Sequence, residues 1–433
     1  MGFRTAVAIC LPAEEYLAVG RELAAAGYDP VRVASVSDLE NLLAARPEVS
    51  LAILDGESDF DTTIEMYSAL RESERDVPAL MVVAPEAVEQ LSQAGRSRVN
   101  GEFLTRPFSA SSLRWRVEAM LIRSQTMMIR SMGDDARSAM IGGEARRLDV
   151  VDQRPMGQII VVFNPKGGVG KTTISINTAG VLQMRRQQRV LLIDCDTVTG
   201  HISTSLGMGA LPTVVDVWTR EIGTVRESTL SQIATRHSSG TDVLVMSNSP
   251  LHTEVLEPRR VAEAIAAARV LYDWVIVDMH PDYGPLNQAI FALADQILVP
   301  VTPDVPTIRA GVQFREVSVE LQVRDRLALI VNRSNSGVSA SDIEKVVNVG
   351  ALARIRSAGE LFVKAANSGR TAVEAFPNAR VVGDFEKLCT RLIEVRDSDA
   401  EGVESLGGQS PIRGFLSRLS GQSVASRQVV RAR

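Results

Sequence analysis

The chain has 433 residues, 45% apolar and 23% charged, with a formal net charge of -5. That is the composition of an ordinary globular protein of two or three domains, and it excludes a disordered or fibrous chain and one that coats nucleic acid by bulk charge. Three cysteines, Cys10, Cys195 and Cys389, are odd in number and far apart; they form neither a disulfide framework nor a metal-ligand spacing and fit a reducing cytoplasm.

In chain order, residues 4–121 alternate short β-rich runs with helical patterns. TAVAIC is followed by EYLAVGRELAAAG, VRVAS, SDLENLLAARP, SLAILDG, a helix near 61–73, PALMVVA, a helix near 86–95, GEFLTRP and SASSLRWRVEAMLIRSQ. Such alternation predicts a parallel sheet wrapped by helices. Residues 122–156 lose the period and read as a linker or as an extension of the preceding helix. A second βα alternation runs over 157–398, and residues 399–433 turn to Gly, Ser and Arg, the composition of a flexible basic tail. No apolar run reaches the roughly 18 residues of a membrane span, so the chain is expected to be soluble or at most peripheral.

The segment QIIVVFNPKGGVGKTTISINTAGVLQM carries the first chemistry. A buried strand enters a glycine-rich turn, then Lys-Thr-Thr, then an apolar-periodic helix. Phosphate oxygens need several backbone N–H groups converging on them, which demands residues without a Cβ at Gly167, Gly168 and Gly170; the helix N-terminus adds a favourable dipole. Val169 and Thr173 complete the loop. Lys171 is placed to reach the β and γ phosphates and the Thr172 hydroxyl to bind Mg²⁺.

With Lys166 opening the loop, KGGVGKT resembles the deviant Walker A motif of the ParA/MinD superfamily. The resemblance implies ATP and Mg²⁺ as ligands and an ATP-dependent homodimer, in which Lys166 reaches across to the partner's phosphates as an arginine finger would. The strand RVLLIDCDTVTG ends in Asp194 and Asp196, which on an extended strand would point the same way. By resemblance Asp196 orients or activates the attacking water, and Asp194 supports Mg²⁺ or the loop. YDWVIVDMHPDYG supplies Asp278 in the Walker B position, where a carboxylate holds the metal's water shell. The superfamily shows Asp-x-Pro-x-Gly here; this chain has Asp278, Met279, His280, Pro281 and only then Gly284. His280 is read as a solvated or structural residue, with an acid–base role as the alternative. The match also puts Asn332 of LALIVNRSN on the adenine edge, with the loop of Pro303 and Asp304 beside it.

The order of segments over about 158–397 is similar to the CpaE/TadZ ATPases of type IV-like Flp (Tad) pilus assembly, which carry an atypical receiver-like domain ahead of the ATPase. Residues 4–121 match a receiver in part. Asp55 sits in the phosphoacceptor position, but Leu11, Pro12 and Ala13 precede Glu14 where an acidic cluster is needed, Ala84 replaces a hydroxyl residue and Arg106 replaces a lysine. A docking role is therefore favoured over phosphorylation. In the tail, Ile412, Phe415, Leu416 and Leu419 fall at helical spacing beside Arg413 and Arg418, a pattern that suits peripheral contact with anionic lipid but is interrupted by glycine.

The expected fold is α/β: a receiver-like (flavodoxin-like) domain at 1–121, then a P-loop NTPase domain with a mostly parallel sheet and helices on both faces. The expected function is a slow ATPase switch that binds pilus or secretion assembly proteins, in the cytoplasm, at a pole or peripheral to the inner membrane. Two alternatives stand beside it. One is a ParA-like partition ATPase, for which Arg185, Arg186 and Arg189 give the sole hint of DNA; the other is a scaffold that holds nucleotide without hydrolysing it.

Overall fold

A computed structural model describes residues 5–73, 77–85, 103–131, 156–221, 230–251, 253–335 and 337–404. The chain divides into two compact units, one built on Met1–Ser124 and the other on Gln125–Arg396.

The first unit holds a five-stranded sheet of β1 (Ala6–Cys10), β2 (Asp29–Arg32), β3 (Val49–Asp55), β4 (Ala79–Val83) and β5 (Phe103–Thr105), in the order β2-β1-β3-β4-β5. Every pairing is parallel. This is the doubly wound order of flavodoxin-like sheets. Its strands read as continuous apolar runs because both faces are covered, and alternate residues go to opposite faces. Ala52, Leu54, Met81 and Val83 pack on one side, Leu51, Ile53, Leu80 and Val82 on the other. The helix expected near 86–95 lies outside the described residues. The helix Ala110–Ser131 runs past 121 into the segment read as linker.

The second unit is built on an eight-stranded sheet of β6 (Gln158–Val162), β7 (Val190–Cys195), β8 (Thr235–Arg236), β9 (Asp242–Val245), β10 (Trp274–Met279), β11 (Gln296–Val301), β12 (Leu327–Asn332) and β13 (Ala351–Ile355). Its order is β13-β12-β11-β6-β10-β7-β9-β8. All pairs are parallel except the short β8 edge, which runs antiparallel to β9. The chain moves from β6 to one side, returns at β10, and then builds the other side through β11, β12 and β13. Open α/β sheets bind ligands at such a reversal, beyond the carboxyl ends of the strands, and here that places the crevice at the end of β6. One face is sealed by Ile160, Leu192, Trp274, Ile276, Leu298 and Ile330 together with Phe385 and Leu388 of the helix Arg380–Glu404. That helix continues past 398; the tail residues Ile412, Phe415, Leu416 and Leu419 lie outside the described residues. Among the described residues no helix is long and apolar enough to cross a membrane.

Candidate functional site

The loop after β6 is fixed at its entrance by Asn164, which is fully buried: its Nδ2 donates to the Pro300 carbonyl at 2.9 Å and its Oδ1 accepts from the Lys166 amide at 2.8 Å. Beyond that anchor the loop turns through left-handed backbone at Gly168 (φ 77°) and Gly170 (φ 95°), a region that a side chain adopts only with strain. A Cβ on Gly167 or Gly168 would meet nothing within 4 Å. These glycines are therefore not required by packing inside the chain. They leave a bare backbone facing open space at the N-terminus of the helix Lys171–Arg186, the arrangement that receives phosphate.

Lys171 opens that helix and is buried, its Nζ donating to the Lys166 carbonyl at 3.4 Å. Burial lowers its pKa, and Asp278 and Asp196 pull in the opposite direction. The next residue's hydroxyl, that of Thr172, donates to Asp278 Oδ2 at 2.6 Å, and one turn on the Ser175 hydroxyl donates to Asp278 Oδ1 at 3.1 Å. Asp278 is almost completely buried. Desolvation, reinforced by Asp194, raises its carboxyl to about 7 against the two hydroxyl bonds and Lys171. A carboxylate so enclosed, with hydroxyls as its hydrogen-bond partners, is in want of a cation.

Strand register brings in the second carboxylate, since Asp194 lies directly opposite Asp278. Asp194 is not paired in direction with Asp196 as an extended strand would have it: β7 stops at Cys195 and Asp196 already belongs to the turn. Asp194 Oδ1 accepts from the Asp196 amide at 3.2 Å and Oδ2 from the Ile202 amide at 3.0 Å, so it braces the 196–202 loop. Burial raises it to about 6. Gly200 lies tight against this brace, because a Cβ there would fall 2.7 Å from both Asp194 carboxylate oxygens and 2.6 Å from the Asp196 carbonyl.

The Asp196 side chain closes its own turn, accepting from the Val198 and Thr199 amides at 3.2 and 2.8 Å and from the Thr199 hydroxyl at 2.8 Å. It also accepts from His280 Nδ1 at 2.7 Å. Burial alone would raise this carboxyl; the hydrogen bonds from Thr199 and His280 together hold it below the ordinary range. Lys166 is half exposed, with its Nζ 3.9 Å from Asp304 Oδ1. Asp304 in turn caps the helix Val305–Glu320 through the Thr307 amide.

Asn332, expected on the adenine edge, also makes bonds within the protein: its Nδ2 donates to the Val169 carbonyl at 2.8 Å and its Oδ1 accepts from the Arg333 amide at 3.0 Å. Both ends are engaged within the protein, and the residue is a brace that ties β12 to the phosphate loop. Thr173 contributes its carbonyl to Asn177 Nδ2. The arginines that hinted at DNA are also engaged internally: Arg185 with Glu386 at 3.4 Å, Arg186 with the Thr390 hydroxyl at 2.6 Å and Arg189 with Asp273 at 2.8 Å.

Sequence reasoning brought together Lys166, Gly167, Gly168, Gly170, Lys171, Thr172, Asp194, Asp196 and Asp278, and missed Asn164, Ser175, Gly200 and the engagement of His280. Only Ser175 carried a readable signal, one helical turn beyond Thr172 on the same face.

In the first unit, Arg106 bonds Glu15 through two nitrogens at 2.8 Å each and Asp55 at 3.0 Å, with Glu57 at 3.4 Å. The Glu15 bonds are the leading reason its guanidinium is held above its ordinary pKa.

Residues 157–323 match the family described as an AAA domain. The septum site-determining protein MinD of Thermotoga maritima is 25% identical over 248 residues, spanning 55% of this chain and 88% of that protein. The sporulation initiation inhibitor protein Soj of Bacillus subtilis is 30% identical over 156 residues, 34% of this chain and 58% of that protein. A solved ParA family ATPase from Chlorobium tepidum superposes with a TM-score of 0.50 at 22% identity, covering 55% of this chain and 99% of that one, a likeness of fold. These are likenesses in sequence and in fold, and they fall on the second unit.

Proposed function

We propose that the chain is an ATP-dependent dimeric switch of the ParA/MinD kind, with slow hydrolysis, that localises and assembles a type IV-like Flp (Tad) pilus or secretion machine. The observation that carries the ATPase part is the cluster beneath the bare glycine loop: Lys171 at the helix start, and Thr172 and Ser175 on the buried Asp278. The residues fit Mg·ATP. Thr172 and Asp278 would hold Mg²⁺ between them, with Asp194 behind, and a divalent cation would satisfy the carboxyl that burial otherwise pushes up. When bound, Mg²⁺ draws negative charge from the phosphates and the leaving oxygen.

The protein's own contributions are separable. Gly167, Gly168 and Gly170 present backbone N–H groups to the phosphates, and Lys171 neutralises them from a desolvated position. Asp196 orients the attacking water. Lys166, half exposed and lightly held by Asp304, is free to reach the phosphates of a second copy. The MinD relative is a septum site-determining protein, which supports a spatial role for this chain. The receiver-like first unit serves as a docking module, because Leu11, Pro12 and Ala13 stand where an acidic cluster would hold a metal and Asp55 is engaged by Arg106. The partition reading stands as the alternative; Arg185, Arg186 and Arg189, its one sequence hint of DNA, make bonds within the protein.

The test is deletion of the gene in its piliated host, with complementation by wild type or Lys171→Ala. Loss of surface pilin restored only by wild type supports the assembly role. Normal pili accompanied by chromosome or plasmid loss would transfer the protein to partitioning.

A further inference from the structure

We propose that His280 is a positioning residue that ties the two loops flanking the nucleotide site together, holding Asp196 in the orientation from which it directs the attacking water. The proposal rests on the ATPase reading above. Three observations carry it.

The first is the bond itself. His280 Nδ1 lies 2.7 Å from Asp196 Oδ1, and since a carboxylate only accepts, the hydrogen resides on Nδ1. The remaining bonds to this carboxylate come from Val198 and Thr199 of its own turn. Among the described residues, His280 is the sole partner of this carboxylate from outside that loop: Asp194 braces the backbone of the turn from β7, and His280 refers the Asp196 side chain to the end of β10.

The second is that His280 is itself held. It is the first residue beyond β10, two after Asp278, and its carbonyl accepts from Asn287 Nδ2 at 2.9 Å. Asn287 is buried, and its Nδ2 also lies 2.9 Å from the Asp282 carbonyl, which pins the 280–284 loop to the helix Pro285–Leu293.

The third is the link back to the phosphate loop. Tyr283 packs edge-on against Phe163, with ring centroids 5.6 Å apart, and Phe163 is the residue between β6 and the Asn164 anchor. A displacement of the phosphate loop therefore has a packed route through Tyr283 and His280 to Asp196. The superfamily's Asp-x-Pro-x-Gly spacing lacks the extra residue that places a histidine at this point, so the tether is a property of this chain's altered loop.

The test compares His280→Ala, His280→Asn and His280→Gln in the full-length protein. The Nδ2 of asparagine stands as many bonds from the backbone as the Nδ1 of histidine, so Asn can restore the donor; Gln carries its amide one bond too far. The expected result is a fall in kcat of about tenfold or more in Ala and Gln with KM for Mg·ATP changed by less than about twofold, and recovery of most of kcat in Asn. Hydrogen exchange of the Val198 and Thr199 amides, measured without nucleotide, should accelerate in Ala and Gln and stay at the wild-type rate in Asn. Wild-type kcat and exchange in His280→Ala would overturn the tether, and so would Asn failing as Ala does with a raised KM, the result of a merely structural role. If wild type shows no turnover while the exchange pattern holds, the tether stands and the hydrolysis reading falls.

Discussion

Asp278→Asn should separate the requirements of folding from those of function. In the nucleotide-free protein the Asp278 carboxyl is raised from 3.8 to about 7, chiefly by burial. A group whose folded pKa lies above its unfolded one favours the folded state fully below the unfolded value, and that contribution is lost as pH rises through the folded value. At about 1.4 kcal/mol per pH unit, the penalty in wild type grows from near zero at pH 4 to a ceiling of about 4 kcal/mol at pH 8. Asparagine has no such penalty; the hydroxyl bonds and Lys171 that favour the charged form are already within that figure, but the amide has a single acceptor oxygen and leaves one of the Thr172 and Ser175 hydroxyls without its bond. Offsetting this loss, we expect a net gain of about 1–2 kcal/mol at pH 8, shrinking to nothing below about pH 5. For a unit of this size that is a rise in Tm of roughly 3–6 °C. Calorimetry in chelator at pH 8 and pH 5 reads it directly. Adding Mg·ATP at 100 times its Kd should stabilise wild type by about 2.7 kcal/mol and leave the variant unmoved. A variant less stable than wild type at pH 8 without nucleotide would refute the reasoning that Asp278 is kept for a cation.

Three further substitutions probe the same arrangement. Gly200→Ala must push a methyl into the Asp194 carboxylate and the Asp196 carbonyl; it should cost about 1–3 kcal/mol and remove turnover while nucleotide binding, read by fluorescent ATP, persists. The Tyr283 hydroxyl is buried without a hydrogen-bond partner among the described residues, and burial raises it to about 12. Tyr283→Phe should therefore stabilise the nucleotide-free protein by about 1 kcal/mol in denaturant titration, and a loss of similar size would contradict it. Arg106→Ala leaves Glu15, Asp55 and Glu57 facing one another without a cation. Allowing for partial exposure, unfolding of the first unit should become easier by about 2 kcal/mol, and Lys should recover less than half because it cannot bond Glu15 through two nitrogens.

What the sequence disclosed follows the range of the interactions. The βα alternation is local, and so is the strand, glycine turn and helix from Gln158 to Arg186; both are written in periodicity and in residues that only that backbone requires. Asp278 was legible for the same reason, at the end of an apolar run. The parts that were not legible depend on which strands become neighbours. Asn332 reaches Val169 only because β11 alone separates β12 from β6, and the His280 bond to Asp196 exists only because β10 and β7 are adjacent. Asp196 was misread as lying on a strand because nothing in IDCD marks where pairing stops; the Asx turn that ends it comes from Thr199 three residues later. The short β8 edge and its turn at His237 were missed because two residues carry no period.

The central claim is that nucleotide at the Lys166–Thr173 loop controls assembly of two copies. Light scattering of the full-length protein with no nucleotide, Mg·ADP or Mg·ATP, for wild type, Lys166→Ala, Lys171→Ala and Asp196→Ala, tests it most directly. The account predicts a dimer for wild type only with Mg·ATP, a dimer that persists in Asp196→Ala, and no turnover in either lysine variant. One mass for every protein under every condition, with no turnover in wild type, would contradict it and leave a scaffold in place of a switch.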